Sequence, residues 1–177
     1  MGFSLADVPK GPIRSLLGNQ AISTGAIAIA TVTSKVQIVS TIYYTVDGVF
    51  CSKGATDNFW ILPATQVAIN PGGTPSAVPV STAFGSAADT ADSVRYFFLG
   101  LNAAGTAFAY ISNPPNTAAV SQDETLLPAF DDGVTIVGIL KVTIAAGYVF
   151  TPGTTLLGAA HVTAAYTNVS VLPNSLP

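Results

Sequence analysis

The fold is decided by the segment Ser40-Thr-Ile-Tyr-Tyr-Thr-Val-Asp-Gly-Val-Phe-Cys-Ser-Lys-Gly-Ala-Thr-Asp-Asn-Phe-Trp-Ile-Leu62. Two apolar runs meet at Asp47-Gly48, a dipeptide that suits the positive φ angles of a type I′ turn. The segment therefore predicts a β-hairpin with strands near Ile42–Val46 and Val49–Lys53.

The same hairpin region is rich in aromatic residues and contains the single cysteine of the chain. Four of its large side chains are predicted to lie in the core: Tyr44, Phe50, Phe59 and Trp60. A reactive thiol at Cys51 would need a positive neighbour, and Lys53 follows on the same strand face. The surroundings of Cys51 favour the interpretation that it is a small, partly buried apolar residue.

Strand patterns continue along the rest of the chain. Apolar and polar residues alternate at 27–32 and 36–40, and again at 161–171. Residues 94–112 predict a second hairpin that turns at Asn102–Gly105, and 134–144 is the strongest single strand. Both faces are apolar near Phe97–Leu101, so this strand is expected to be covered on two sides. Residues 63–92 form the longest irregular stretch, with short edge strands at 67–69 and 78–80.

These patterns predict an all-β protein, a β-sandwich or jelly-roll-like domain of residues 23–177 with an N-terminal arm of residues 1–22. Pro9, Gly11 and Pro12 interrupt any long element in the arm, and residues 12–18 could form one or two helical turns. A frayed terminus is the alternative. Besides the 63–92 loop, the candidates for contact with another protein chain are the apolar residues of the arm: Phe3, Leu5, Ile13, Leu16 and Leu17.

The charge content is unusually low. Charged residues make up 8% of the chain, against about 25% in an average soluble domain. Such a surface suggests that other chains cover much of it, although a compact neutral monomer is the alternative. No basic stripe exists to bind nucleic acid. The mean hydropathy is +0.53, but the best membrane candidate, 133–150, has Lys141 at its centre and is rich in β-branched residues, so we expect no membrane partner.

No set of residues in the sequence indicates a catalytic site, so we expect that the protein is not an enzyme and binds no cofactor and no metal. His161 is the only histidine, and the chain has no Gly-x-Ser-x-Gly nucleophile motif. One His and one Cys are too few for a typical zinc site. The acidic residues Asp123, Glu124, Asp131 and Asp132 could bind calcium or serve a glycosidase, but their spacing favours a solvated turn.

Several short stretches resemble small virion proteins of tailed bacteriophages. The run Ser52–Asn58 is similar to their Lys-x-Ala-Thr-Asp-Asn motif, and Phe150–Thr155 to their Phe-Thr-Pro-Gly-Thr-Thr turn. The stretches 97–106, 137–144 and 159–166 resemble further segments in the same order. The likeness covers roughly Ser40 to Pro173 and leaves the first thirty residues unmatched.

The resemblance implies a structural role, as a head decoration or cement protein or another accessory virion protein. Such proteins often form homotrimers that bind the major capsid protein at the capsid surface and strengthen the shell. The main alternative is a receptor- or glycan-binding module of a tail or head fibre, which would expose Tyr43, Tyr44, Trp60 or Tyr110. A glycan hydrolase, the third possibility, would need acidic residues paired across a cleft.

Overall fold

The computed structural model describes residues 18–23, 25–69, 75–112, 128 and 130–169. Within these residues the chain forms antiparallel sheets and no helix, which confirms the all-β prediction. The strands are β1 (Gln20–Ala21), β2 (Ile27–Ile29), β3 (Lys35–Ile38), β4 (Ile42–Val46), β5 (Val49–Lys53), β6 (Thr56–Ile61), β7 (Thr65–Ile69), β8 (Pro75–Ser81), β9 (Ser93–Asn102), β10 (Ala107–Ile111), β11 (Val134–Ile144) and β12 (Val162–Asn168).

The described strands form four sheets. Their orders are β1-β4-β5, β2-β3-β6, β7-β8 and β10-β9-β11-β12. The longest strands, β9 and β11, lie at the centre of the four-stranded sheet, where both neighbours satisfy their backbone groups. The predicted hairpins β4-β5 and β9-β10 and the predicted strand 134–144 are confirmed. The 63–92 stretch is more regular than its composition indicated, because β7 and β8 pair with each other.

The main core contains side chains from both three-stranded sheets and from one face of the four-stranded sheet. Trp60 anchors it: its indole is fully buried and donates a hydrogen bond of 3.2 Å to the carbonyl of Gly100 on β9. Gly100 lies beside a β-bulge, where the register of β11 shifts between Ile136 and Gly138. The indole thus provides a partner for a buried carbonyl at an irregular point of the sheet.

The four-stranded sheet is apolar on both faces, as the Phe97–Leu101 run predicted. Phe97, Leu99 and Leu101 point into the main core. Tyr96 and Phe98, on the other face of β9, belong to a second buried cluster. This cluster contains Tyr96, Phe98, Tyr110, Val134, Ile136, Ile139 and Val169, with Val94, Phe108 and Phe130 packed against it. Period-2 alternation is absent here because neither face of β9 meets water.

Two sequence expectations concern the start of the chain. Residues 1–17, and with them Phe3, Leu5, Ile13, Leu16 and Leu17, lie outside the described residues. The last part of the predicted arm contributes β1, which pairs with β4 through Gln20 opposite Thr45. The side chain of Asn19 also donates to the carbonyl of Val134 at 3.2 Å and accepts from the backbone N–H of Asp47 at 2.8 Å. The chain therefore enters the fold tied to both β11 and the β4-β5 turn.

Candidate interaction surface

The clearest exposed apolar surface lies on the outer face of the β1-β4-β5 sheet. We call it the outer aromatic face and define it by Ile22, Tyr43 and Phe50. Phe50 is 63% exposed and Tyr43 is 43% exposed, although both are large apolar residues. Their rings stack with centroids 5.8 Å apart and planes inclined by 23°. Ile22 lies beside Tyr43, because its backbone N–H donates to the Tyr43 carbonyl at 2.8 Å.

The turn between β4 and β5 decides which side chains reach this face. Asp47 has φ 49° and Gly48 has φ 75°, as a type I′ turn requires. The turn pairs Val46 with Val49, and the register then places Tyr44 opposite Cys51. Because Tyr44 points into the core, Phe50 must point to the opposite face.

The core prediction is consequently correct for three residues and wrong for one. Tyr44 and Trp60 are fully buried. Phe59 packs against the main core and meets the Trp60 ring edge-on with centroids 4.8 Å apart. Phe50 is exposed, so its placement in the core was the error. The Tyr44 hydroxyl donates to the carbonyl of Asn102 at 2.8 Å, and burial raises its pKa.

Among the residues that the structure describes, no charged side chain lies on the outer aromatic face. Its exposed polar neighbours on the same side of the sheet are Gln20, Thr41 and Ser52. Thr45 also points to this side but is covered, since its hydroxyl donates to the Gly18 carbonyl at 2.9 Å. An uncharged aromatic surface with a polar rim suits an apolar partner surface better than a nucleic acid or another charged polymer.

Cys51 lies on the other side of β5 from Phe50. It is partly buried and packs against the main core, which confirms the interpretation of Cys51 as a small apolar residue. Its potential positive neighbour, Lys53, places its ammonium 4.6 Å from the centroid of the Phe59 ring. Lys53 is therefore engaged in a cation–π contact at the sheet edge.

The polar residues Asp57 and Asn58 hold a turn in place through hydrogen bonds. The carboxylate of Asp57 accepts from the backbone N–H groups of Thr31 at 2.9 Å and Asn58 at 2.8 Å. The side-chain oxygen of Asn58 accepts from the backbone N–H of Val32 at 2.8 Å. These bonds fasten the β2-β3 turn to β6. The hydrogen bonds from Thr31, with smaller help from Asn58 and Lys35, lower the pKa of Asp57.

A second exposed aromatic stack lies beyond the end of β11. The rings of Tyr148 and His161 are nearly parallel, with centroids 4.3 Å apart. Tyr148 is about half exposed and Val149 beside it is exposed as well. The stack gives His161 a structural contact, and no acidic or nucleophilic side chain forms a hydrogen bond with it in the described part of the chain.

The acidic residues that the structure describes form no metal site. Asp131 accepts a hydrogen bond of 3.0 Å from the Tyr110 hydroxyl, and burial raises the pKa of Tyr110 to about 12. Asp123 and Glu124 lie outside the described residues. Among the described residues, no three His, Cys, Asp or Glu side chains group closely enough to hold a metal ion.

Only one of the four aromatic residues predicted to be exposed in a receptor- or glycan-binding module is exposed in the structure. Tyr43 faces solvent, whereas Tyr44, Trp60 and Tyr110 are buried. The exposed aromatic residue that sequence reasoning missed is Phe50, and the Asp47-Gly48 turn was the signal that could have found it.

Comparison with known proteins adds no relative. No family model, no curated protein and no solved structure matches the chain. In the described part of the chain, no helix has the length and apolar character to cross a membrane.

Proposed function

We propose that this chain is a structural virion protein of a tailed bacteriophage that binds the outer capsid surface as a homo-oligomer and stabilises the shell. In this proposal the partner is the major capsid protein, the expected oligomer is a trimer, and the chain performs no covalent chemistry. The proposal joins the sequence resemblance over residues 40–173 to a surface suited to protein contacts.

The observation that carries the proposal is the exposure of large apolar side chains on a nearly charge-free β-sheet body. Ten large hydrophobic residues among those described are at least 43% exposed: Ile22, Val32, Val39, Tyr43, Val49, Phe50, Ile61, Tyr148, Val149 and Leu156. Scattered single apolar residues are ordinary on a monomer, but contiguous ones mark interaction sites. Ile22, Tyr43 and Phe50 are contiguous, and no charged side chain of the described residues lies between them.

The mechanism of stabilisation is mass action. A protein that binds the assembled shell, and not its dissociated subunits, stabilises the shell by about 2.7 kcal/mol per site when its free concentration is a hundred times its dissociation constant. Rigid sheets favour this task because little conformational entropy is lost when they dock. The chain's own residues then act through complementarity of shape and apolar contact.

The test is quantitative mass spectrometry of purified particles, followed by removal of the gene product. A copy number near that of the major capsid protein, together with loss of heat resistance in particles that lack the chain, is the expected result. Adding back the purified protein should restore the heat resistance. If particles without the chain keep their stability and lose only adsorption to the host, the capsid-stabilising function is refuted.

A receptor- or glycan-binding module is the second candidate, and the Tyr43–Phe50 stack favours it. Sugars pack on exposed aromatic faces, and this stack is accessible, uncharged and flanked by hydroxyl and amide side chains. Binding of the purified protein to host cell-surface polysaccharide would support this candidate. The matched variants are Phe50→Ala on the stack and Ile61→Ala on another sheet. Loss of binding in the first variant alone would locate the glycan on the outer aromatic face.

A further inference from the structure

Strand β5 ends its sheet, and its outer edge is open. Among the described residues, β5 pairs only with β4. Val49, Phe50 and Ser52 are exposed, and no other described strand covers this edge. Open edges with apolar residues invite pairing with another strand unless charges, prolines or bulges protect them.

The type I′ turn determines which backbone groups point to this edge. A two-residue turn closes on the Val46–Val49 pair, and hydrogen-bonded and non-hydrogen-bonded pairs then alternate along an antiparallel hairpin. Tyr44–Cys51 is consequently a hydrogen-bonded pair, which directs the backbone groups of Cys51 towards β4. The N–H and C=O groups of Phe50 and Ser52 point away from β4 and reach the open edge.

We propose that β5 of one copy pairs antiparallel with β5 of a second copy, about a two-fold axis at Cys51. The inference rests on the proposed self-association of the chain and names the contact. In this register Phe50 lies opposite the second copy's Ser52, and the two pairs supply four backbone hydrogen bonds. The two three-stranded sheets become one continuous six-stranded sheet.

The register is complementary in charge and in size. Lys53, the one charge on β5, lies opposite Val49, and antiparallel pairing separates the two lysines by about 14 Å along the strands. The parallel arrangement would place them side by side. Phe50 meets a small serine directly, while the two Phe50 rings become diagonal neighbours, within reach of each other at about 7–8 Å. The Tyr43–Phe50 stack of each copy therefore joins that of the other across the axis.

The contact is two-fold and self-complementary, so it closes on itself and does not propagate into fibres. It differs from the three-fold contact that the expected trimer would need, and it can join two copies that belong to different trimers. The contact covers the open edge of β5 and joins the outer aromatic faces of the two copies into one larger face. On the inner side of the new sheet the two Cys51 residues lie opposite each other.

The geometry at Cys51 supplies a direct test, because Cys51 is the only cysteine of the chain. The two Cys51 residues form a non-hydrogen-bonded pair, for which the Cα–Cα distance is about 4.5 Å, within the range of disulfides. Diamide accepts two electrons and two protons from two thiols and leaves a disulfide. Treatment of the native full-length protein should therefore give a covalent dimer on a non-reducing gel.

The matched variants are Phe50→Lys and Ile61→Lys. Both replace an apolar side chain of similar exposure at the protein surface, 63% and 60% respectively, but Ile61 lies at the end of β6. We expect the first variant to raise the dimer dissociation constant at least about tenfold in sedimentation velocity, because like charges become diagonal neighbours. The second variant should leave the constant and the disulfide yield unchanged. Thermal unfolding checks that both variants are folded.

Three results would overturn the inference. They are a monomer at all concentrations in sedimentation, a Cys51 thiol that reacts with a maleimide but yields no covalent dimer, and a dimer that Phe50→Lys does not weaken. The capsid assays give a separate answer. A monomeric chain that still strengthens particles refutes the β5 contact alone, whereas a β5 dimer that binds no shell refutes the proposed function alone.

Discussion

Replacing Tyr166 by phenylalanine should stabilise the protein, although the change removes an atom from a packed region. Tyr166 lies on β12 and packs against the main core. Its hydroxyl oxygen exposes less than 1 Å² and has no hydrogen-bond partner in the described structure. In the unfolded chain the same hydroxyl is hydrogen-bonded to water, so folding costs its desolvation without return.

The expected magnitude follows from the cost of an unsatisfied buried polar group. That cost is about 1–3 kcal/mol, and part of it is offset because removing the oxygen leaves a small void. A gain of about 1 kcal/mol in the free energy of unfolding corresponds to a rise in Tm of about 2–4 °C for a protein of this size. Tyr44→Phe is the matched control, since the Tyr44 hydroxyl donates to the Asn102 carbonyl. It should lower the free energy of unfolding by about 1 kcal/mol.

Urea denaturation followed by the fluorescence of Trp60, the single tryptophan, measures both variants. The midpoint should move up for Tyr166→Phe and down for Tyr44→Phe, with similar m-values. Equal destabilisation by the two substitutions would refute the reasoning, because it would mean that the Tyr166 hydroxyl makes a favourable interaction in the folded protein.

Three further predictions concern pH and packing. Burial raises the pKa of Tyr110 and Tyr166 from 10.0 to about 12, so the contribution of these two tyrosines to the free energy of unfolding should be fully present below their ordinary pKa of 10.0 and be lost as the pH rises through their raised pKa of about 12. Denaturation curves on either side of pH 10 measure this loss, and Tyr166→Phe should reduce it. Asp57 has a lowered pKa, so its contribution to the free energy of unfolding is present above its ordinary pKa of 3.8 and is lost as the pH falls below that value. Asp57→Ala should therefore lower Tm at neutral pH and make Tm depend less on pH in acid. Gly100→Ala should cost about 1–3 kcal/mol, since the new methyl group would lie 2.6 Å from Cγ1 of Val134; an unchanged Tm would contradict this packing.

Strand positions were predictable where a turn and an alternating pattern agree. The Asp47-Gly48 turn and its flanking residues define β4 and β5 with their observed bounds. The strand 134–144 was predictable because eleven residues of β-branched and apolar character leave no other element plausible. Strand β6 begins earlier than its apolar run indicated, at Thr56, since Asp57 and Asn58 form a bulge rather than a loop.

Several strand pairings could not be predicted from the sequence pattern. The residues around β2 do not indicate that it pairs with β3. They also do not indicate that Asn58 has a left-handed conformation, with φ 52°, in which its side chain holds the turn between β2 and β3. The β7-β8 hairpin was hidden by its prolines, which are tolerated there because the pair forms a two-stranded sheet of its own. The pairings β9-β11 and β3-β6 join strands that are not adjacent in sequence. They depend on which surfaces meet in three dimensions, and local composition carries little of that information.

The placement of Phe50 shows how far turn chemistry alone can carry a functional inference. Hydrophobicity assigns both Tyr44 and Phe50 to the core, but the register set by a two-residue turn allows only one of them to point there. The residue opposite Tyr44 is Cys51, whose small side chain leaves room for the tyrosine ring. Phe50 must then be exposed, and it is 63% exposed on an edge strand. Packing within the described fold does not account for a phenylalanine at this position, whereas contact with another chain does. The same turn fixes which backbone groups of β5 point to the open edge, so the Phe50 side chain and these backbone groups belong to one contact surface. Replacing Phe50 should therefore weaken the pairing of the backbone groups as well, although the groups themselves remain in place.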